Sequence, residues 1–391
     1  ENLFMLLVSI MNKIPILVVG KPGCSKSLAI EVLQSNLNGE VSANNFFKSM
    51  PAVEVFPYQC SPLSTPEGVQ GAFDSARKYR VEGSKTIVCV LLDEVGLAEE
   101  SPHLPLKVLH RELEHLGGLA CVGISNWTLD AAKMSRCVTL YRPAPTVDDL
   151  CATAEGMVQS SNLKAYLQSL SRAFFVVYGT QQRPDFWGMR EFYSTVRVIN
   201  AELRRQVAES EAAGKAAKAM MLEPEVLMKT VLRNYGGRPQ SELDLVVEEF
   251  FRQCGMSSVG VPRPRTQELI KQNLEEPEAR HLMLLTRNNA ALQLLFEAGL
   301  LSHDRGAEVL FGSTFSGDQG DVAVASMLQS IKAMMRMPIV LVLVHCDALY
   351  ESLYDLLNQH YMEYGGQRYV RIAHGSSSRQ CPLHRLFRVV V

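Results

Sequence analysis

Ile14-Pro15-Ile16-Leu17-Val18-Val19-Gly20-Lys21-Pro22-Gly23-Cys24-Ser25-Lys26-Ser27-Leu28-Ala29-Ile30-Glu31-Val32-Leu33 decides how this chain is read. An apolar run long enough for a buried strand leads into a loop of small residues, which opens onto helical spacing. Strand, loop and helix in that order make a phosphate cradle, in which backbone N–H groups and the helix N-terminus face an anion. Gly20, Lys21, Pro22, Gly23, Cys24, Ser25, Lys26, Ser27 and Leu28 are therefore expected to hold the phosphates of ATP. Lys26 would reach the β- and γ-phosphates, and the Ser27 hydroxyl would join the shell of Mg²⁺. The usual pattern has Gly just before the Lys; Ser25 stands there instead, narrowing the loop's conformations without removing a donor. Cys24 reads as a small side chain, with a redox switch as the alternative.

A second signal lies downstream. Thr86-Ile87-Val88-Cys89-Val90-Leu91-Leu92 is a continuous apolar run of the kind buried on both faces of a parallel sheet, and it ends in Asp93-Glu94. With a phosphate loop upstream, Asp93 is expected to hold Mg²⁺ and Glu94 to act as the general base on the attacking water. A solvated acidic strand end is the plainer alternative. A third run, Leu119 to Ser125, ends at Asn126-Trp127; an Asn at a strand end is also an ordinary turn residue, and its neighbours in the motif series favour a functional role.

This series resembles nucleoside triphosphatases of the AAA+ class. The resemblance implies that Asn126 senses the γ-phosphate or lytic water. It also implies that Arg136, in Leu129-Asp130-Ala131-Ala132-Lys133-Met134-Ser135-Arg136, is an arginine finger acting on a neighbouring module. The competing account of Arg136 is a helix C-terminal cation complementing the dipole. From about Asp148 to Cys254 long β-like runs are absent and apolar residues recur at helical spacing, as in Leu163, Tyr166, Leu167, Leu170, Phe174, Phe175 and Val177. The segment suits an AAA+ helical lid. Within it Phe186 to Tyr193 resembles the second sensor motif, with Arg190 reaching the γ-phosphate of its own module; a helix-surface salt bridge is the alternative. Ala212 to Ala219 reads as exposed helix or loop without visible chemistry.

Longer strings narrow the family. GKPGCSKSLA, YQCSPLSTPEGV at Tyr58 to Val69, VLLDEVGLAEESPHLPLKVLH at Val90 to His110, GISNWTLDAAKMSR, and ALYESLYDLLNQHYMEYGGQRYV at Ala348 to Val370 are similar to the giant RING-type E3 ubiquitin ligases with a dynein-like AAA+ core. The resemblance covers essentially the whole chain. It implies the fourth AAA+ module and most of the large domain of the fifth, in a ring where only some modules keep nucleotide-binding residues. Expected partners are the adjacent AAA+ modules of the same polypeptide, with ubiquitin and an E2 enzyme engaged through regions outside this chain. No RING Cys/His pattern occurs in these residues.

The second half, read by itself, agrees with a degenerate module. His281 to Thr286 is expected to be a buried strand, yet Arg287-Asn288-Asn289-Ala290-Ala291-Leu292 follows without Gly or Lys. Pro338 to Val344 reads as a central strand ending in His345-Cys346-Asp347-Ala348, with Asp347 expected to cap a helix starting near Leu349. The chain stops within the apolar run Phe387 to Val391, which is expected to reflect truncation of a longer protein.

The expected architecture is thus α/β. A P-loop AAA+ large domain with a parallel sheet flanked by helices spans 1–147, a helical lid 148–254, a linker 255–280, and a degenerate AAA+ large domain 281–391. With 391 residues, 47% hydrophobic content and a net charge of −2, the chain can build two cores and shows no basic excess for nucleic acid. Nine Cys without a C-x-x-C pair fit reduced thiols in the cytosol, and the His residues lack ligand spacing, so Mg²⁺ is the sole metal expected. Phe4 to Met11 is too short to span a bilayer, and no transmembrane segment is expected. The resemblance leaves lipid-droplet association of the full protein open. A kinase or transferase reading is disfavoured by the Asp93-Glu94 and Asn126 series, whereas a scaffold that binds ATP and hydrolyses it negligibly stays as the alternative function.

Overall fold

The computed structural model describes residues 2–158, 161–212, 221–276, 279–286, 290–313, 315, 320–374 and 377–391. It divides into two units, residues 1–144 and a second built from 145–374 with 378–391.

The first unit opens with α1 (Asn2–Asn12), β1 (Ile16–Gly20), α2 (Lys26–Asn36), α3 (Asn45–Lys48), β2 (Val53–Gln59) and α4 (Pro66–Tyr79). It continues with β3 (Ile87–Asp93), α5 (Val95–Glu99), α6 (Leu109–Glu112), β4 (Ala120–Ser125), α7 (Ala131–Met134) and β5 (Val138–Arg142). The strands form one parallel sheet in the order β2-β3-β4-β1-β5. Continuous apolar runs fit this sheet because both faces are covered. Leu17 and Val19 of β1 pack with Phe73, Ala76 and Leu109 on one side, while Ile16 and Val18 pack with Leu6, Ile10, Ala29 and Leu33 on the other. Since all five strands point the same way, Gly20, Gln59, Asp93, Ser125 and Arg142 end at one edge of the sheet, where ligands of open α/β sheets bind. The Thr65 hydroxyl caps α4 by accepting from Gly68 N at 3.2 Å, and Pro66 fills the first helical position, where its missing N–H costs nothing.

The second unit begins with five helices, α8 (Val147–Met157), α9 (Ser161–Thr180), α10 (Met189–Ala212), α11 (Pro224–Asn234) and α12 (Gln240–Gln253). Leu163, Leu167, Leu170, Phe174 and Val177 form the buried stripe of α9, and Phe174 stacks on Phe192 of α10 at 5.1 Å. Phe175 falls outside that stripe and is exposed. Then come α13 (Thr266–Glu275), α14 (Ala290–Glu297), β6 (Ala307–Phe311), α15 (Asp321–Met334), β7 (Val340–Val344), α16 (Asp347–Tyr350) and α17 (Tyr354–Asn358). Strands β8 (Tyr361–Tyr364), β9 (Gln367–His374), β10 (Ser377–Leu383) and β11 (Arg388–Val390) close the chain. Parallel pairing gives β11-β7-β6, and Leu282 bridges Val390 in parallel beyond β11.

Two expectations change here. His281 to Thr286 is a single-bridge edge segment instead of a buried strand, with Met283 69% and Leu285 57% exposed. Leu282 and Leu284 bond backbone to backbone with Val389 and Val391, and among the described residues no strand pairs with their other side. Asp347 is the first residue of α16 instead of its cap; Cys346 holds the N-cap position, without a side-chain cap bond. Arg287, Asn288 and Asn289 of the expected loop, and Ala213 to Ala219, lie outside the described residues.

Candidate nucleotide site

The loop after β1 turns through left-handed geometry at Gly23 (φ 90°) and again at Ser25 (φ 58°, ψ 29°), the position where the usual pattern has Gly. Ser25 thus holds a backbone conformation that side-chain-bearing residues adopt at a cost, in a turn that brings Lys26 into the first helical position of α2. Gly20 is demanded by packing: a Cβ there would lie 2.8 Å from the Arg142 Cβ on β5.

Lys26 is buried. Its ammonium donates to the Gly20 carbonyl, to the Lys21 carbonyl at 2.9 Å and to Asn126 Oδ1 at 3.0 Å. Asn126 in turn donates from Nδ2 to Glu94 Oε2 at 2.5 Å. Asp93 and Glu94 are both buried at the end of β3, and Asp93 Oδ1 accepts from Glu94 N at 3.0 Å. Lys26, Asn126, Glu94 and Asp93 therefore meet at the edge of three adjacent strands. Glu94 itself is left-handed (φ 52°), the corner that turns β3 into α5.

Asn126 is fixed from beneath by residues the sequence reading passed over. The buried Ser125 hydroxyl donates to Trp127 O and accepts from Trp127 N at 3.3 Å, which curls the chain around Asn126. Gly96 lets that turn close, since a Cβ there would lie 2.7 Å from both Ser125 Oγ and the Trp127 ring. A Ser directly before Asn at a strand end was the available signal; the Gly96 contact depends on the β3–β4 pairing and leaves no local trace.

Two cysteines border the cradle. Burial pushes the Cys24 thiol up against the pull of Lys26, Arg142 and Lys21, which keeps it protonated and argues against a redox role. The fully buried Cys60, whose N–H bonds the Asp93 carbonyl at 2.8 Å, is raised further by burial and by the carboxylates of Asp93 and Glu94.

The two arginines have partners of their own. Arg136 pairs with Glu114 at 2.7 Å and donates to the Ala132 carbonyl of α7, as a cation at a helix C-terminus does. Arg190, on α10 of the second unit, donates to Asn358 Oδ1 at 2.6 Å.

The donor set suits magnesium nucleotide. A hydroxyl at Ser27 and a carboxylate at Asp93 are hard oxygen ligands, and Lys26 brings positive charge to the loop that leaves β1 at the same edge of the sheet. Ser27 and Asp93 would hold Mg²⁺, which would neutralise phosphate charge.

Two family models, each described as RNF213 AAA domain, match residues 1–149 and 271–391. The chain is 35% identical over 415 residues to zebrafish (Danio rerio) E3 ubiquitin-protein ligase rnf213-beta. It is 34% identical to E3 ubiquitin-protein ligase RNF213 of mouse (Mus musculus, 424 residues) and of human (Homo sapiens, 422 residues). Each alignment takes in 100% of this chain and 8% of the relative, so the chain spans 8% of the length of the curated relatives it matches. Among solved structures, the FIGL-1 AAA domain in complex with ADP aligns at 14% identity and TM-score 0.35, over 60% of this chain and 76% of that one. A katanin self-assembly structure aligns at 15% and TM-score 0.38, over 65% and 86%.

Proposed function

Because the chain belongs to the RNF213 AAA domain family and has the α/β AAA+ fold, we propose that its first unit binds ATP with Mg²⁺ and hydrolyses it as one module of a larger E3 ubiquitin ligase. The observation behind the reading is the polar relay Lys26–Asn126–Glu94, which links the phosphate-binding cation to the base through the residue between them. On arrival of the triphosphate, Lys26 exchanges loop carbonyls for phosphate oxygens. Asn126 follows, releasing Glu94 to orient a water and accept its proton. Arg190 and Arg136 are proposed to contact phosphate once the ring assembles, Arg190 in its own module and Arg136 in the neighbouring one.

In this arrangement the nucleotide state regulates ring conformation and ligase action, with ubiquitin and the E2 bound by other parts of the protein. Lid 148–254, linker 255–280 and degenerate large domain 281–391 complete the proposed organisation. All nine cysteines are unpaired, which supports the cytosol as the compartment, and among the described residues no helix is long and apolar enough to cross a membrane.

The engaged Glu94 carboxylate also supports a second reading, a nucleotide-gated scaffold that binds ATP with negligible hydrolysis. Nucleotide binding and phosphate release by wild type, Lys26→Ala and Glu94→Gln separate the two. Turnover lost in Glu94→Gln with binding retained supports the ATPase. Binding without turnover in wild type supports the scaffold, and no binding in wild type overturns both.

A further inference from the structure

The phosphate loop has a second flank, and a cation stands on it. Strand β5 pairs with β1 in parallel with Gly20 directly opposite Arg142, so the loop and Arg142 leave the sheet side by side. The two backbones are so close that Gly20 tolerates no side chain, and the Cys24 thiol at the middle of the loop lies 4.0 Å from the carbonyl of Pro143. The Arg142 side chain is partly buried, and its charge, with those of Lys26 and Lys21, draws the Cys24 thiol down against the effect of burial.

Strand order sets which end of a nucleotide it would meet. Asp93, Glu94 and Asn126 end β3 and β4 on one side of β1, and they mark the γ-phosphate and its water. Arg142 ends β5 on the opposite side, about 4.8 Å from β1 at sheet spacing. A triphosphate lying along the loop with its γ end toward Glu94 directs its nucleoside end toward Arg142.

We propose that Arg142 is a second phosphate-binding cation, which takes the α/β-diphosphate shared by ATP and ADP. The proposal rests on the ATP-binding reading above. An Arg fits this task because its planar fork bonds two phosphate oxygens at once. Lys26 answers to the β/γ end, so the two cations divide the nucleotide between them. Arg142 would then hold ADP in place after hydrolysis.

Titration calorimetry of the full chain with Mg-ATP and with Mg-ADP tests this on wild type, Lys26→Ala, Arg142→Gln and Arg142→Lys. Arg142→Gln should weaken ATP and ADP by the same factor, about 10-fold or more, whereas Lys26→Ala should weaken ATP more than ADP. Arg142→Lys, which keeps the charge and loses the fork, should recover part of the loss for both nucleotides, which a purely packing role would not produce. Unchanged affinities in Arg142→Gln overturn the proposal while leaving the ATP site intact. Loss confined to ATP overturns the α/β placement, and failure of Arg142→Lys to recover either nucleotide overturns the phosphate contact. Should Arg142→Gln not fold, Arg142→Met, which keeps the apolar stem, replaces it. Wild type binding neither nucleotide removes the underlying reading itself.

Discussion

Lys26 is 6% exposed, and its ammonium donates to the Gly20 and Lys21 carbonyls and to Asn126 Oδ1 at the end of the loop, where a phosphate would meet it. Lys26→Ala is therefore expected to weaken ATP by about 1.5–3 kcal/mol, the worth of a charge-assisted hydrogen bond, measured by calorimetry. Glu94→Gln preserves size and the bond from Asn126 but cannot take a proton. ATP should still bind while turnover falls about 10²-fold or more, and parallel loss of both would make Glu94 a structural carboxylate. At Ser25 two terms compete: relief of left-handed strain is worth about 1–3 kcal/mol, and the added chain entropy of Gly costs about 0.5–1 kcal/mol. Strain wins, so Ser25→Gly should raise the thermal midpoint; a lowered midpoint would mean the loop gains something from the serine. Much of this site was legible in the sequence, because loop spacing and an acidic strand end are local patterns. The Asn126–Glu94 bond and the approach of Arg142 to Gly20 were not, since both follow from which strands become neighbours in space.

At the scale of elements, the fold was legible wherever a strand is buried on both faces. β1, β3, β4 and β7 all lie within runs marked by apolar continuity. The sheet β10-β9-β8 escaped, although Gly365-Gly366 between Tyr364 and Gln367 is a hairpin signal: its strands mix Arg, Tyr and Glu, and Tyr364 is 81% exposed. The edge segment Leu282 to Leu284 is anchored by its predecessor. His281 accepts from Val389 N at Nδ1 (3.1 Å), which leaves Nε2 to carry the proton and donate to the Tyr361 hydroxyl at 3.1 Å. Burial, with Arg388 nearby, lowers its pKa to about 3 from the usual 6.5. The unfolded chain therefore binds the extra proton between these values. Stability is complete above about pH 6.5 and falls as the pH drops toward 3, with a slope of at most about 1.4 kcal/mol per pH unit from this group. Urea unfolding at stepped pH should show that slope in wild type and lose it in His281→Asn; an identical slope in the variant would assign the acid sensitivity to other groups.

Across the whole molecule the first sheet's strand order recurs while its chemistry does not. β6, β7, β11 and Leu282 repeat the sequence β2, β3, β4, β1. The corner after the central strand repeats as well: Glu94 follows β3 at φ 52°, and His345 follows β7 at φ 54°. Backbone demands keep that corner in place. Gly312, whose N–H bonds Val344 O at 2.8 Å, packs so tightly that a Cβ would sit 1.8 Å from the His345 carbonyl oxygen, and Gly312→Ala should cost about 3 kcal/mol or more by denaturant titration. At the first corner the side chains are a carboxylate pair; at the second they are His345 and Cys346, the latter 2% exposed. The stretch 285–292 moreover offers neither Gly nor Lys to an anion. Packing alone can maintain the repeat, so the second sheet is proposed to be retained for architecture. Hydrogen exchange with millimolar Mg-ATP gives the test at this scale. Amides of Gly20 to Leu28 should gain protection, and those of 282–286 and 345–350 should exchange as they do without nucleotide. Protection of the second set to the same degree would show that a phosphate site can be built there without a lysine loop, and the division of labour between the two sheets would fall.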